Sequence, residues 1–425
     1  MKSKIKVLVF PSSSEIANEI YNSVKHSIHF ELIGSNSVDD GKTTPFLKHT
    51  KKLPSIYDSN FLHYINEVIQ NHDIDLVYPA MDSCIEFFKK NESDLACKVV
   101  GSSYEVSKMC LSKSATYNAL NEHSFIPKFS NKPNYSLDYP CFAKPDIGYG
   151  SRGIKKIASK EDIDDSLKSG YVFCEYLPGK EYTVDCFTDR NKKLLFIGAR
   201  ERVAIKNGIS VHSRVCKDKE FDEIALAINN RIGFRGAWFF QVKEDQDGKL
   251  KLLEVAARLG GSSGLYRNRG INFALATLFD FTEKNITLLE NSKPNESYRN
   301  LITAYKLKVD FKHAYFDYDD TVIIDDKVYL PTINLIYDLI NHNVKVVLIT
   351  RHNGDLKSSL TKNRLSSLFD DIIHIKDSKI TKSSFIHEEK SIFIDDSFIE
   401  RQDVFNTVGC NVFSPDMVDS IKLVG

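Results

Sequence analysis

Short apolar runs alternate with stretches of helical spacing in the first part of the chain. Runs at 7–10, 30–33, 76–78 and 99–100 predict strands, with helices over 14–23 and 60–71 between them. Strand–helix alternation of this kind builds a small parallel sheet. After a helix over 114–122 the pattern turns to hairpin-like strands at 139–144, 153–157, 171–175, 182–188 and 194–199. Strands over 237–243 and 249–255 flank the turn-rich segment 244–248, which predicts a further hairpin. The polar stretch 290–299 is turn-prone and points to a domain junction at 300–312. Beyond it the alternation resumes, with strands expected at 315–316, 344–349, 372–375 and 392–394 and helices over 333–341 and 383–388. No internal repeat or low-complexity segment interrupts the pattern.

Composition narrows the class. A chain of 425 residues is too long for one ordinary core and implies two or three domains. Hydrophobic content of 42% and charged content of 27% are those of a globular protein in water. Lys+Arg 57 balances Asp+Glu 57, so no whole-chain basic footprint for nucleic acid exists. The apolar run 5–10, ended by Pro11, is too short for a signal peptide or a membrane span, and no later window is long enough to cross a bilayer. The 8 cysteines are scattered without a C-x-x-C pair. Cys141, Cys174 and Cys186 sit in apolar runs and are expected as buried free thiols, which fits a reducing, cytoplasmic compartment.

The most informative polar residues stand where apolar runs end. Asp317, Asp319 and Thr321 follow Ala314-Tyr315-Phe316, and Asp395-Asp396 follow Ile392-Phe393-Ile394. Ligands of parallel α/β sheets collect at the carboxyl ends of strands. Two strand ends closed by paired aspartates can converge on one divalent cation, in an oxygen shell suited to Mg²⁺. Asp317 can attack phosphorus there, while Asp319 protonates the leaving oxygen and later activates water. Thr350 and a lysine would hold the phosphoryl oxygens. Lys382 fits best as that lysine, at the start of an expected helix, with Lys379 and Lys376 as alternates.

This series resembles the haloacid dehalogenase (HAD) superfamily of phosphatases over about residues 312–425. The resemblance implies catalytic Asp317, Asp319, Thr350 and Lys382, and metal-binding Asp317, Asp319, Asp395 and Asp396. The interval from Asp317 to Thr350 holds one helix and one strand but no cap domain, so the site is expected to be open.

A second constellation lies upstream. Gly148-Tyr149-Gly150-Ser151-Arg152-Gly153 is literally G-x-G-x-x-G, yet the residues after it read as a strand, whereas a dinucleotide fingerprint needs a helix there. The loop reads instead as a glycine-rich flap whose backbone N–H groups can fold over phosphates. It is not a kinase flap, because Lys144 precedes it and H-R-D and D-F-G are absent. Gly41-Lys42-Thr43 is not a P-loop, since Asn36 stands where the first glycine belongs.

Lys144, the flap, Glu175-Tyr176-Leu177, Gly179-Lys180-Glu181-Tyr182, Leu253-Glu254-Val255 and Arg258 together resemble the ATP-grasp superfamily of carboxylate–amine ligases, over about residues 1–300. The resemblance implies that Lys144 and Lys113 bind phosphates beneath the flap residues Gly148, Gly150, Ser151 and Gly153. Glu175, Tyr176 and Leu177 would form the adenine hinge, and Glu181 would take the ribose hydroxyls. Gln241 and Glu254 would hold metal, and Arg258 would face the γ-phosphate and acyl phosphate. One position departs from the family: Ala256 stands where an asparagine ligand is common, and alanine cannot coordinate a cation.

Contacts to the acid and amine are less defined. Glu15, Asp82, Arg200 and Arg202 are candidates, as is the Gly/Ser-rich segment 258–265 as an anion-binding turn. For Glu15 a surface charge is the better reading, and for His212 a structural role.

These readings predict an α/β protein with α+β ATP-grasp lobes: a three-lobed ATP-grasp fold followed by a capless, Rossmann-like HAD domain. The expected domains are 1–110 (βαβ), 111–300 (nucleotide-binding) and 312–425 (phosphatase). The expected function is a bifunctional enzyme, an Mg-ATP-dependent amide-forming ligase with an Mg-dependent phosphohydrolase. Its cofactors would be ATP and Mg²⁺, with Mn²⁺ as a substitute. Its partners would be small carboxylates, amines and a phosphorylated small molecule, without nucleic acid or membrane, and a homodimer is compatible. Two alternatives stay open: a phosphatase governed by a non-catalytic ATP-binding domain, and a ligase whose last domain serves docking.

Overall fold

The computed structural model describes residues 3–38, 45–46, 48–133, 137–148, 152–167, 169–300, 311–386 and 390–421. The chain divides into two compact units, Met1–Asn300 and Leu301–Gly425.

The first unit opens with β1 (Ile5–Phe10), β2 (Phe30–Gly34), β3 (Leu76–Pro79) and β4 (Lys98–Val99), all parallel in the order β2-β1-β3-β4. β1 is central, and Val7, Leu8 and Val9 are wholly buried, as expected for a parallel strand covered on both faces. The helix Glu15–Val24 begins where Ser14 accepts a hydrogen bond from the Ala17 N–H, and it turns Ile16, Ala17, Ile20 and Val24 inward. Because β1 lies between β2 and β3, the chain switches direction there and opens a crevice at the strands' carboxyl ends. Asp82 stands at that rim, at the start of the helix Asp82–Lys90.

A small antiparallel sheet follows, built from β5 (Phe129–Ser130), β6 (Cys141–Pro145), β7 (Lys155–Ile157) and β8 (Tyr171–Glu175) in the order β5-β8-β6-β7. The larger sheet holds β9 (Glu181–Thr188), β10 (Leu194–Lys206), β11 (Ile209–Cys216), β12 (Gly236–Glu244), β13 (Leu250–Ala256) and β14 (Glu296–Tyr298), in the order β13-β12-β9-β10-β11-β14. Its register aligns Glu254, Gln241, Thr183 and Arg200 in one row across four strands. The helix Lys219–Ile232 covers the opposite face and ends at Gly233, whose φ of 77° is the left-handed conformation a helix C-cap favours. Trp238 stacks on Phe234 at 4.1 Å in the core beneath that helix.

Several elements differ from the sequence expectations. β10 continues past Ala199 to Lys206, because that half pairs with β11 as a hairpin arm whose last four residues are exposed. The stretch 290–299, expected to be turn-prone, contains β14, which pairs with β11. The helix expected over 114–122 is Lys113–Ala119.

The second unit is a five-stranded parallel sheet. β15 (His313–Phe316) is followed by a small hairpin of β16 (Ile323–Ile324) and β17 (Lys327–Val328), then β18 (Lys345–Thr350), β19 (Asp371–His374), β20 (Ser391–Ile394) and β21 (Asn411–Phe413). The order is β19-β18-β15-β20-β21, so β15 and β20 are neighbours and both aspartate pairs leave the sheet at the same edge. Lys382 opens a single 3-10 turn, Lys382–Phe385, rather than a full helix, and 387–389 lie outside the described residues. All eight cysteines are free, and no helix among the described residues is long and apolar enough to cross a membrane.

Candidate active sites

In the first unit a cavity of about 190 Å³ lies between the two antiparallel sheets. Lys113, Lys144, Gly148, Glu175, Leu177, Glu181, Gln241 and Glu254 all line it. Lys113 begins a helix capped by Ser112, and the Asp146 carboxylate fixes that cap by accepting from Ser112 Oγ at 2.7 Å and from the Ser114 N–H at 2.8 Å. The Lys113 ammonium donates to the Pro145 carbonyl at 3.0 Å, and burial lowers its pKa. Lys144 sits on β6 opposite Val172, and among the described residues its Nζ has no hydrogen-bond partner. Two lysines facing one cavity, one of them uncompensated, are a ready receptor for phosphate oxygens.

The hinge is held by its backbone register. Glu175 accepts from the Lys128 N–H at 2.8 Å, and Tyr176 stacks on Phe142 at 5.7 Å with the Lys156 ammonium over its ring. Gly153 has φ of 73°, and a Cβ there would stand 3.0 Å from Pro145 Cγ, so the flap needs glycine at that position. Gly150 and Ser151 lie outside the described residues.

Glu181 and the ligand strands show where expectation and geometry diverge. Glu181 is held between Arg202 Nε at 3.0 Å and Lys243 Nζ at 3.8 Å, so two cations attend the carboxylate assigned to ribose. Burial lowers the pKa of Arg202, which also lines the cavity. Gln241 and Glu254 face each other across β12 and β13, a carbonyl and a carboxylate oxygen suited to a hard cation. Ala256, the next residue on that face of β13, stands opposite Phe239, so the remaining surface there is apolar. Arg258 does not line the cavity. Its fork grips Asp82 at 2.8 and 2.7 Å, and its guanidinium lies over Phe239. Burial opposes the Arg258 charge, but the Asp82 carboxylate outweighs that and holds its pKa up.

The remaining candidates disperse. Arg200 is locked to Asp185 in a fully buried pair at 2.7 Å. Glu15 pairs with Arg299 at 3.2 Å, and His212 pairs with Glu296 at 3.0 Å while stacking on Tyr298. The segment 258–265 contributes Gly261, Ser262, Gly264 and Leu265 to a separate cavity of about 240 Å³ that also includes Glu19.

In the second unit the aspartates converge. Oxygens of Asp317, Asp395 and Asp396 lie within 4.8 Å of one another, an all-carboxylate set that fits a hard divalent cation. Lys382 donates to Asp317 Oδ1 and Asp395 Oδ2, each at 2.6 Å, which selects it over Lys376 and Lys379 as the lysine of this cluster. Asp395 Oδ1 accepts from the Ser397 N–H at 2.8 Å, and the Asp396 N–H donates to Thr321 Oγ1 at 3.0 Å. Burial pushes the Asp317 carboxyl up to about 7 against the pull of Lys382, and burial raises Asp395 as well. Thr350 is buried, and its Oγ1 accepts from the His352 N–H at 3.1 Å, which leaves the hydroxyl hydrogen to donate into the site.

Asp319 is not part of the carboxylate cluster. Its two oxygens, 2.9 and 3.0 Å from His352 Nδ1, are turned to that imidazole. His352 was not among the expected residues, and its only sequence signal is its place two residues after Thr350. The grip of Asp82 on Arg258 was equally hidden, since 176 residues separate them.

Residues 169–303 match the family described as "ATP-grasp in the biosynthetic pathway with Ter operon". Among solved structures, the N5-carboxyaminoimidazole synthetase of Staphylococcus aureus complexed with ADP is similar at TM-score 0.56 and 16% identity, covering 68% of this chain and 81% of that one. The biotin carboxylase domain of the Hydrogenobacter thermophilus 2-oxoglutarate carboxylase is similar at TM-score 0.55 and 13% identity, over 67% and 71% of the two chains. The chain carries an ATP-grasp fold. The L-amino acid ligase of Bacillus licheniformis shares it at TM-score 0.54 and 17% identity, over 68% of this chain and 76% of that one. No curated protein matches the sequence.

Proposed function

We propose that the ATP-grasp unit is an Mg-ATP-dependent carboxylate–amine ligase and that the second unit hydrolyses a phosphate ester. The observation that carries the ligase reading is the single cavity shared by Lys113, Lys144, the Glu175–Leu177 hinge and the Gln241/Glu254 pair. Lysines on one wall and oxygen ligands on the other suit a triphosphate whose γ-phosphoryl passes to a carboxylate, giving an acyl phosphate that an amine then attacks. Likeness to a structure holding ADP and to an L-amino acid ligase supports the same reading. Mg²⁺, held by Gln241 and Glu254, would screen charge between phosphates. Arg258, already paired with Asp82, would reach the γ-phosphate and acyl phosphate only by turning from that partner.

One observation favours a second reading. The Ala256–Phe239 pair supplies no ligand beside Glu254, which suits a domain that binds ATP without turning it over and regulates the second unit. Calorimetric titration with Mg-ATP, run on the native chain and on Lys144→Ala, separates binding from its absence. Binding lost in the variant supports the cavity as the nucleotide site, and equal binding by both chains refutes it.

The phosphohydrolase reading rests on the Asp317–Lys382–Asp395 cluster at the carboxyl ends of β15 and β20, with Asp396 beside it. The resemblance to HAD phosphatases implies such a cluster with Asp319 in it, whereas here Asp319 is turned to His352. Asp317 would attack phosphorus, Lys382 and Thr350 would hold the phosphoryl oxygens, and the three carboxylates would take Mg²⁺. Asp317→Asn removes the nucleophile, and undiminished hydrolysis of phosphate esters by that variant would refute this half of the proposal.

A further inference from the structure

We infer that His352 is a positioning residue, which aims the Asp319 carboxylate at the water that releases phosphate from Asp317. The inference rests on the phosphohydrolase reading of this site. A side chain on the loop after β15, as Asp319 is, would otherwise rotate freely, since its carboxylate is half exposed. A single Nδ1–H shared between both oxygens, at 2.9 and 3.0 Å, fixes the plane of that carboxylate.

His352 is itself held on several sides. Its backbone N–H donates to Thr350 Oγ1 at 3.1 Å, and its carbonyl accepts from His374 Nε2 at 2.8 Å. The Tyr318 ring meets the imidazole edge-on at 5.3 Å, and a Cβ on Gly354 would stand 2.9 Å from Nε2. Glycine at 354 therefore leaves room for the one imidazole orientation that points Nδ1 at Asp319. An imidazole fixed this firmly does more than fill space, because the atom it presents reaches only the carboxylate assigned as acid and base.

Two steps make up the reaction. In the first, an Asp317 oxygen bonds to phosphorus as the ester P–O bond breaks, and the leaving oxygen takes the proton of the Asp319 carboxyl group. In the second, water bonds to phosphorus, its proton passes to the Asp319 carboxylate, and the P–O bond to Asp317 breaks to release inorganic phosphate. With 4-nitrophenyl phosphate the leaving oxygen needs no proton, so a misaimed Asp319 slows the second step alone.

The test is stopped-flow hydrolysis of 4-nitrophenyl phosphate by the full chain with Mg²⁺. General-base assistance is worth about 10²–10⁴-fold, and loss of aim should forfeit roughly 30–300-fold of kcat in His352→Ala. That variant should also release a rapid burst approaching one 4-nitrophenolate per site, with phosphoenzyme recoverable after acid quench. His352→Asn places an amide N–H near the Nδ1 position and should recover most of the rate without a burst. Gly354→Ala, which displaces the imidazole without touching either aspartate, should reproduce the burst. An unchanged kcat in His352→Ala, or a fall in rate without a burst, overturns the inference. Full activity in Asp317→Asn, or no hydrolysis by the native chain, instead overturns the phosphohydrolase reading on which it rests.

Discussion

Replacing Asp185 with asparagine removes one charge from a pair closed to water, for Asp185 is 2% exposed and Arg200 1%. The Arg200 fork holds the carboxylate at 2.7 Å through Nε and 3.3 Å through Nη2, while among the described residues its Nη1 has no hydrogen-bond partner. Asparagine keeps the shape and one acceptor oxygen but leaves the guanidinium charge uncompensated in the sheet. Breaking a buried pair from one side costs about 3–5 kcal/mol. At a urea dependence of about 3 kcal/mol per molar, the unfolding midpoint should fall by roughly 1–1.7 M. Trp238, the single tryptophan, is buried in β12 of the same sheet, so its fluorescence follows this unit and not the other. The double replacement Asp185→Leu with Arg200→Met removes both charges and should be far milder than the single one, or even stabilising. Arg200 shares a row with Thr183, Gln241 and Glu254, so Asp185→Asn should also weaken Mg-ATP binding in the adjoining cavity. A midpoint shift below about 0.3 M, or a double variant as unstable as the single one, would refute the reasoning.

Lys382→Met leaves Asp317 and Asp395 buried without their counter-charge, and should destabilise the second unit by about 3–5 kcal/mol. Added Mg²⁺ should recover part of that in thermal unfolding, because it binds the folded cluster. Tyr117→Phe deletes a buried hydroxyl that donates to the Leu253 carbonyl at 2.6 Å, next to Glu254. It should cost about 1–2 kcal/mol, read by Trp238 fluorescence in urea. Stripping divalent cations with a chelator should abolish phosphate-ester hydrolysis, with activity returning on titration of Mg²⁺.

Local pattern carried much of the architecture. The apolar runs before Asp317 and Asp395 are strands, and their adjacency brings Asp317, Asp395 and Asp396 together. The runs around Lys144, Glu175 and Glu254 likewise became strands that place those side chains on one cavity. What stayed hidden depends on contacts between distant residues. β14 carries no apolar alternation, and only pairing with β11 makes Glu296–Tyr298 a strand. The sequence already favoured Lys382 over Lys376 and Lys379 but expected a helix there, whereas the lysine opens a 3-10 turn and is buried against Asp317 and Asp395. Asp319 reads as a metal ligand in sequence because it shares a motif with Asp317. Adjacent alternate residues on a loop need not point the same way, and His352 takes its carboxylate instead. Arg258 was expected to face phosphate, yet the Asp82 carboxylate, at the start of the helix Asp82–Lys90, satisfies its fork.

Activation of a carboxylate by ATP is the step proposed for the ATP-grasp unit. The direct measurement is ADP release by the purified chain with Mg-ATP against pooled carboxylates and amines, with Lys144→Ala as control. ADP release should require both an acid and an amine and should disappear in the variant. Tight Mg-ATP binding with no turnover in any mixture would contradict it and leave the unit a nucleotide-binding regulator.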